Sequence, residues 1–204
     1  MHLFNFLKHR RSPIDWLASD KQFNKLYPQH IAMLSRPHWT PIAVARGASH
    51  FLAEPGKKIL DIGSGVGKFC LIAASLHKDT LFYGVEQRMN LVHFAKEAQD
   101  KLRLENVHFI NGNIKDTDFG NFDHFYFYNS FYENLSHADK IDNDIGFSQE
   151  QFDYYTSHLF NKLATLAEGT KLVTYHAHRE QIPNTYNLVR QEFDNRLEYW
   201  TKCA

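Results

Sequence analysis

The chain has little cysteine, no surplus of either charge and no long apolar run, and each shortage removes a class of protein. Its 204 residues contain two cysteines, Cys70 and Cys203, far apart and without metal-type spacing, so neither a disulfide scaffold nor a metal site is expected. Lys plus Arg and Asp plus Glu number 23 each, and the formal net charge is zero. Phosphate affinity comes from accumulated cations, so this balance argues against a broad nucleic-acid-binding surface and leaves only a local patch open. The 13 histidines would add positive charge in mild acid. No segment approaches transmembrane length, and "MHLFNFLKHRR" places its basic residues after a short apolar stretch, the reverse of a secretory signal. A reduced, cytoplasmic, membrane-free protein is expected, with Leu3, Phe4, Phe6 and Leu7 packing on the chain's own domain.

What the chain does have is a regular alternation of short apolar runs and amphipathic stretches. Pro13, Pro28 and Pro37 break up the first 38 residues, which read as a cap of short helices. Thr40 is expected to cap a helix over "IAVARGASHFLAE" that accepts Pro41 in its first turn and stops near Pro55 and Gly56. "KKILDIG", "TLFYGVE", "VHFINGN", "FDHFYFYN" and "TKLVTYH" read as strands, with helices over "KFCLIAASLH", "MNLVHFAKEAQDKLRL" and "FDYYTSHLFNKLATLA" between them. Ser148 and Gln151 stand at capping-box spacing before the last of these, and Gly169 is its expected stop. "YNLVRQEF" and "RLEYWTK", separated by Asp194 and Asn195, suggest an antiparallel hairpin at the sheet edge. The pattern is that of a mostly parallel α/β sandwich.

In "ILDIGSGVGKF" three glycines, Gly63, Gly65 and Gly67, alternate directly behind an apolar strand. In open α/β sheets the first strand-to-helix turn is the usual ligand contact. The spacing fits a dinucleotide poorly, because the third glycine of that pattern would fall at Lys68. Lys68 is followed by Phe69 rather than Ser or Thr, so a nucleoside-triphosphate loop is not formed either. A ligand without a diphosphate is favoured.

"ILDIGSGVGKF" followed by "FYGVE" resembles the first two motifs of the class I S-adenosylmethionine-dependent methyltransferases. The resemblance covers roughly residues 38–204. It implies an α/β, Rossmann-like seven-stranded, mostly parallel sheet with helices on both faces, a C-terminal antiparallel hairpin and an N-terminal helical cap. The implied division is a cap over residues 1–38 and a methyltransferase domain over 39–204. It also implies S-adenosyl-L-methionine as cofactor. Gly63, Ser64, Gly65 and Gly67 would form the turn around the methionine part, Asp61 would face its ammonium and Glu86 would accept from both ribose hydroxyls. Asn113 and Ile114 would border the adenine, Asn113 standing where the family often has Asp.

Beyond the fourth strand the chain reads Asn129, Ser130, Phe131, Tyr132, without the two prolines of methyltransferases acting on amide or exocyclic nitrogens. The loop, "GVE" and this segment are similar to those of the non-SET, disruptor-of-telomeric-silencing type of lysine methyltransferase. That likeness implies catalytic roles for Asn129, Phe131 and Tyr132, with Asn129 also touching the cofactor and Thr40 contributing ahead of the glycine strand. The expected reaction is methyl transfer to a protein lysine or small amine, ahead of nucleic acid; a non-catalytic S-adenosylmethionine-binding module is the alternative of a different class. Asp139, Asp142 and Asp144 read first as a solvated loop; an acidic lid selecting a cationic acceptor is the alternative, and a calcium site lacks the EF-hand spacing. His176 and His178 lack a third ligand for a metal.

Overall fold

A computed structural model describes residues 14–135, 140–142 and 145–203, with Pro37 described by its backbone alone. Leu3, Phe4, Phe6, Leu7, Asp139 and Asp144 lie outside these residues, and their expected roles with them. The short helices α1 (Asp20–Phe23), α2 (Gln29–Ala32) and α3 (Ser35–His38) precede α4 (Ile42–Leu52) and strand β1 (Lys58–Ile62). Then follow α5 (Lys68–Leu76), β2 (Leu81–Glu86), α6 (Met89–Leu102), β3 (Val107–Asn111), β4 (His124–Phe127), α7 (Gln149–Ala164), β5 (Lys171–Tyr175), β6 (Tyr186–Glu192) and β7 (Leu197–Lys202).

The strands form one seven-stranded sheet in the order β3-β2-β1-β4-β5-β7-β6. β1 to β5 run parallel, and the terminal hairpin adds β7 antiparallel to β5 with β6 outermost. The apolar runs are short and unbroken because both faces are covered. Strand side chains alternate: Ile59 and Tyr126 enter the core beneath α4, α5 and α6, while Leu60, Ile62, Phe125 and Phe127 enter a second core with Leu159 and Leu163 of α7. The same alternation puts Asp61 on the α5 side. There Phe69 stacks on Tyr126 with ring centroids 3.9 Å apart, seating the helix that follows the glycine turn. Strand order reverses at β1, whose neighbours are β2 and β4, so a crevice opens beyond its carboxyl end.

Local chemistry differs from expectation at three places. Thr40 does not cap α4: its hydroxyl hydrogen-bonds Tyr126 Oη at 3.0 Å, and the Ile42 N–H donates to Asp20 Oδ1 at 3.1 Å, so a carboxylate from α1 satisfies that helix end. Ser148 does cap α7, accepting from Gln151 N at 3.1 Å, but the helix stops at Ala164, well before Gly169, whose φ of 80° serves the entry to β5. The hairpin loop is longer than Asp194 and Asn195. Pairing ends at Glu192 and Leu197, and Phe193, Asp194 and Asn195 are all left-handed, with φ of 54°, 55° and 62°. An irregularity between Leu188 and Arg190 breaks the register of the outer strand.

Asn106, ahead of β3, ties three elements together: its Nδ2 lies 3.2, 2.9 and 3.0 Å from the carbonyl oxygens of Ala74, His77 and Thr80. Asn106→Ala leaves these carbonyls short of a donor and is expected to cost about 1–3 kcal/mol in urea unfolding. A change below about 0.5 kcal/mol would show that water replaces the amide.

Candidate functional site

The turn between β1 and α5 is held from behind by backbone. Gly63 N and Ser64 N both donate to Val85 O, at 3.0 and 2.9 Å, and Gly67 N donates to Ser64 O at 2.8 Å. Gly63, Gly65 and Gly67 have φ of 73°, 53° and 78°, yet they are glycines for different reasons. A Cβ on Gly63 would sit 2.4 Å from Ser130 Cβ, because the loop after β4 presses on the turn through Ser130, whose Oγ donates to Ile62 O at 2.5 Å. A Cβ on Gly67 would fall 2.4 Å from the Phe109 ring. Gly67 does not border the cavity; its missing Cβ lets α5 close on β3. Gly65 alone of the three has open space in front of it and lines the cavity.

Glu86 closes the turn from the neighbouring strand. Its Oε2 accepts from Gly65 N at 3.1 Å and its Oε1 from Arg88 N at 2.9 Å. One lone-pair direction remains on each oxygen, the arrangement a vicinal diol needs. Burial pushes its pKa up, with the Arg88 N–H opposing. Asp61 is wholly buried beside Cys70, whose Sγ lies 3.6 Å from Oδ2, and burial raises its pKa to about 8. It is therefore a neutral carboxyl at pH 7 until a cation arrives.

These groups line a cavity of about 530 Å³ at the carboxyl ends of β1, β2 and β4, within the range of small-ligand sites. Thr40, Asp61, Gly63, Ser64, Gly65, Glu86, Asn113, Ile114, Asn129, Phe131 and Tyr132 of the expected site all border it. Ser64 Oγ and Asn129 Oδ1 are buried there with no hydrogen-bond partner among the described residues, as expected of a surface shaped for a polar ligand. Asn113 is more constrained than expected: its Oδ1 accepts from Lys115 N at 3.1 Å, and its Nδ2 donates to Tyr155 Oη at 2.7 Å and Gln87 Oε1 at 3.2 Å. Only its second oxygen lone pair is left to accept from an adenine amino group.

At the acceptor end, Asn129 holds an unusual φ of 34°, directing the chain out of β4 and over the turn. Phe131 is both wall and core, bordering the cavity while stacked on Tyr155 at 5.4 Å and packed on Phe127 at 5.1 Å. Tyr132 is more exposed and stands at the mouth. His176 and His178 border the same end, and burial lowers the His176 pKa. Among the described residues no three His, Cys, Asp or Glu side chains gather into a metal-holding group. Sequence reasoning missed Arg88, two residues after Glu86. Its Nη2 lies 2.8 Å from Glu133 Oε2 and its Nε 3.1 Å from Asp142 Oδ2, so Asp142 straps its loop to the cavity rim instead of standing ready for an amine.

A Rossmann-like sheet of this order, with a glycine turn and a buried acid facing each other across its reversal point, defines the class I S-adenosylmethionine-dependent methyltransferases. A family model described as a methyltransferase domain matches residues 53–193, and the chain belongs to that family. Its cofactor is S-adenosylmethionine. Among solved structures, TrmN from Thermus thermophilus superposes with a TM-score of 0.60 at 22% identity, over 85% of this chain and 51% of that one. An RNA methyltransferase from Salinibacter ruber in complex with S-adenosyl-L-homocysteine gives 0.55 at 18% identity, over 80% and 92%. At such identities the likeness is one of fold. Among curated proteins, a tRNA (guanine-N(7)-)-methyltransferase of Synechococcus sp. (strain JA-3-3Ab) is 40% identical over 91 residues, 45% of this chain and 35% of the relative. Release factor glutamine methyltransferase of Buchnera aphidicola subsp. Acyrthosiphon pisum (strain APS) is 32% identical over 110 residues, 52% and 39% respectively. The matches thus span well under half the length of these relatives. None of the proteins named here is a lysine methyltransferase. Among the described residues no helix is long and apolar enough to cross a membrane.

The glycines separate binding from stability. Gly67→Ala, strained by its φ and driven into Phe109, is expected to cost about 2–4 kcal/mol in urea unfolding. Gly65→Ala should cost about 1–2 kcal/mol and weaken S-adenosylhomocysteine binding at least about tenfold, its methyl entering ligand space. Equal effects of the two on stability and binding would undo this division. Asp61 makes binding pH-dependent with a definite sign. Its pKa of about 8 lies well above the ordinary carboxylate range, so at pH 7 it is mostly protonated, and a ligand ammonium drives the proton off. Calorimetry in buffers of different ionisation enthalpy should register proton release at pH 7 that disappears near pH 9 and in Asp61→Asn. Release that persists unchanged in Asp61→Asn would assign it to another group.

Proposed function

We propose that the chain transfers a methyl group to a nucleobase ring nitrogen in RNA, with guanine N7 as the first candidate. The observation that carries this reading is its 40% identity, over 91 residues, to a tRNA (guanine-N(7)-)-methyltransferase. It reverses the ranking drawn from the sequence, in which a protein lysine or small amine stood first.

The site is compatible with such an acceptor. S-adenosylmethionine brings a methyl group already activated by its sulfonium. A ring nitrogen brings a lone pair with no proton to remove, so the chain's work is to align the acceptor and exclude water. Gly65 and Glu86 would fix the donor, and Asn129, Phe131 and Tyr132 would present the base. Methylation at N7 leaves a positive ring, which the three carboxylates at the rim tolerate: among the described residues Arg88 faces Glu86, Glu133 and Asp142. Asp142, one of the three aspartates on which the amine reading relied, is engaged by Arg88. The neutral net charge requires that any grip on phosphates come from a local group of cations.

Incubation with methyl-tritiated S-adenosylmethionine and total cellular RNA tests the proposal. Label should enter RNA and be released as 7-methylguanosine on nuclease digestion, and guanine-to-7-deazaguanine transcripts of the labelled RNA should take up none. Label confined to protein or small amines would overturn the proposal, and label elsewhere on the RNA would move it to another atom.

A further inference from the structure

Two strand ends at the cavity leave the sheet through a backbone conformation that side chains rarely adopt. Among the described residues six non-glycines have a positive φ. Arg103 ends α6, and Phe193, Asp194 and Asn195 form the hairpin loop, so four of the six serve turns of the fold. The other two are Asn129 and His176, with φ of 34° and 54°. Phe127 of β4 pairs with Thr174 of β5, so Asn129 and His176, each two residues further on, leave neighbouring strands at the same level. Both border the main cavity. Strain of this kind persists only where the surroundings fix it, and here the His176 N–H donates to Arg196 O at 2.8 Å.

The exposed His176 ring is positioned by aromatics. Its centroid lies 4.3 Å from that of Tyr175, edge on, and 5.8 Å from that of Tyr128, nearly parallel at 28°. Tyr128 and Tyr175 are 4.7 Å apart, so the three rings form a shelf beyond β4 and β5. Among the described residues the imidazole makes no hydrogen bond. Burial and the Arg196 guanidinium lower its pKa, so at pH 7 the ring is mostly neutral and carries one N–H donor. Two nearby donors are already engaged: Ser130 Oγ donates to Ile62 O and Asn134 Nδ2 to Phe131 O.

A purine that offers N7 to a methyl donor must keep that lone pair free. On guanine the same edge carries O6, a second acceptor, which needs a donor once water is excluded. We propose that His176 donates to the keto oxygen beside the methylated ring nitrogen, making it a specificity-determining residue for a 6-oxopurine. Tyr128 and Tyr175 hold the imidazole level with Asn129, and a neutral ring does not oppose the positive charge that methylation leaves on the base. The assignment rests on guanine N7 being the acceptor.

Methyl transfer to two RNAs isolates the interaction. Both are the RNA species that takes up label from S-adenosylmethionine, assembled by ligation with guanine or 2-aminopurine at the labelled position; 2-aminopurine keeps N7 and lacks O6. Wild type should favour guanine by about tenfold or more in kcat/KM, the range of a hydrogen bond whose loss strands a donor. His176→Gly suits the left-handed backbone and removes the ring. It should bring guanine down to the 2-aminopurine value while leaving 2-aminopurine turnover and S-adenosylhomocysteine affinity within about twofold. His176→Phe keeps a ring on the shelf without the donor and should lose the preference as fully. Equal wild-type rates on the two RNAs overturn the proposal. Equal slowing of both in His176→Gly also overturns it, making the ring a strut, as does a preference retained in His176→Phe. Absence of label from every guanine in wild type would instead remove the acceptor reading on which the proposal rests.

Discussion

The site depends on one buried carboxylate joining two neighbouring strand ends. Glu86 accepts from the Gly65 N–H on one side and the Arg88 N–H on the other, so the turn after β1 and the turn after β2 share a single acceptor. Two backbone donors that would otherwise be stranded beneath the cavity are satisfied in this way. The cost is a desolvated acid, and Arg88 at 3.9 Å offsets part of it. Two further features join this bridge: Gly65 holds the left-handed φ of 53° in which its amide meets the carboxylate, and Arg88 in turn gathers Glu133 and Asp142.

Much of this was legible in the residues. Strands buried on both faces announce themselves as mostly apolar runs, and "KILDI", with Asp61 as its one buried acid, "LFYGVE" and "HFYF" are such runs; the glycine turn and Glu86 stand where the first two end. Contacts between residues distant in sequence were not legible. Nothing local to Thr40 reveals that its hydroxyl will meet Tyr126, or that Asp20 will take over the helix end that Thr40 leaves. The three glycines read as one motif, yet Gly63 makes room for Ser130 and Gly67 for Phe109, both brought in by other strands. Arg88 carried a faint signal, a cation close behind the ribose-type acid. Its acidic partners lie some fifty residues on, in a loop whose spacing alone suggested a free cluster.

The electrostatics of the cavity follow from burial more than from formal charge. A chain with no net charge concentrates carboxyl groups at one crevice, and enclosure keeps Asp61 neutral until a cation compensates it. Such a site attracts positively charged groups without carrying a large field in the free protein. The N-terminal helices matter to this arrangement because they cover the Lys68 end of the crevice and set Trp39 and Thr40 against its wall.

The outer strand of the hairpin has a consequence away from the chemistry. β6 leaves Leu188 and Val189 exposed on an open sheet edge, a place where a foreign strand could add. The break in register between Leu188 and Arg190 kinks that edge just where its apolar side chains lie. A bent ladder is a poor template for lateral growth, so the irregularity guards the domain against fibrillar stacking.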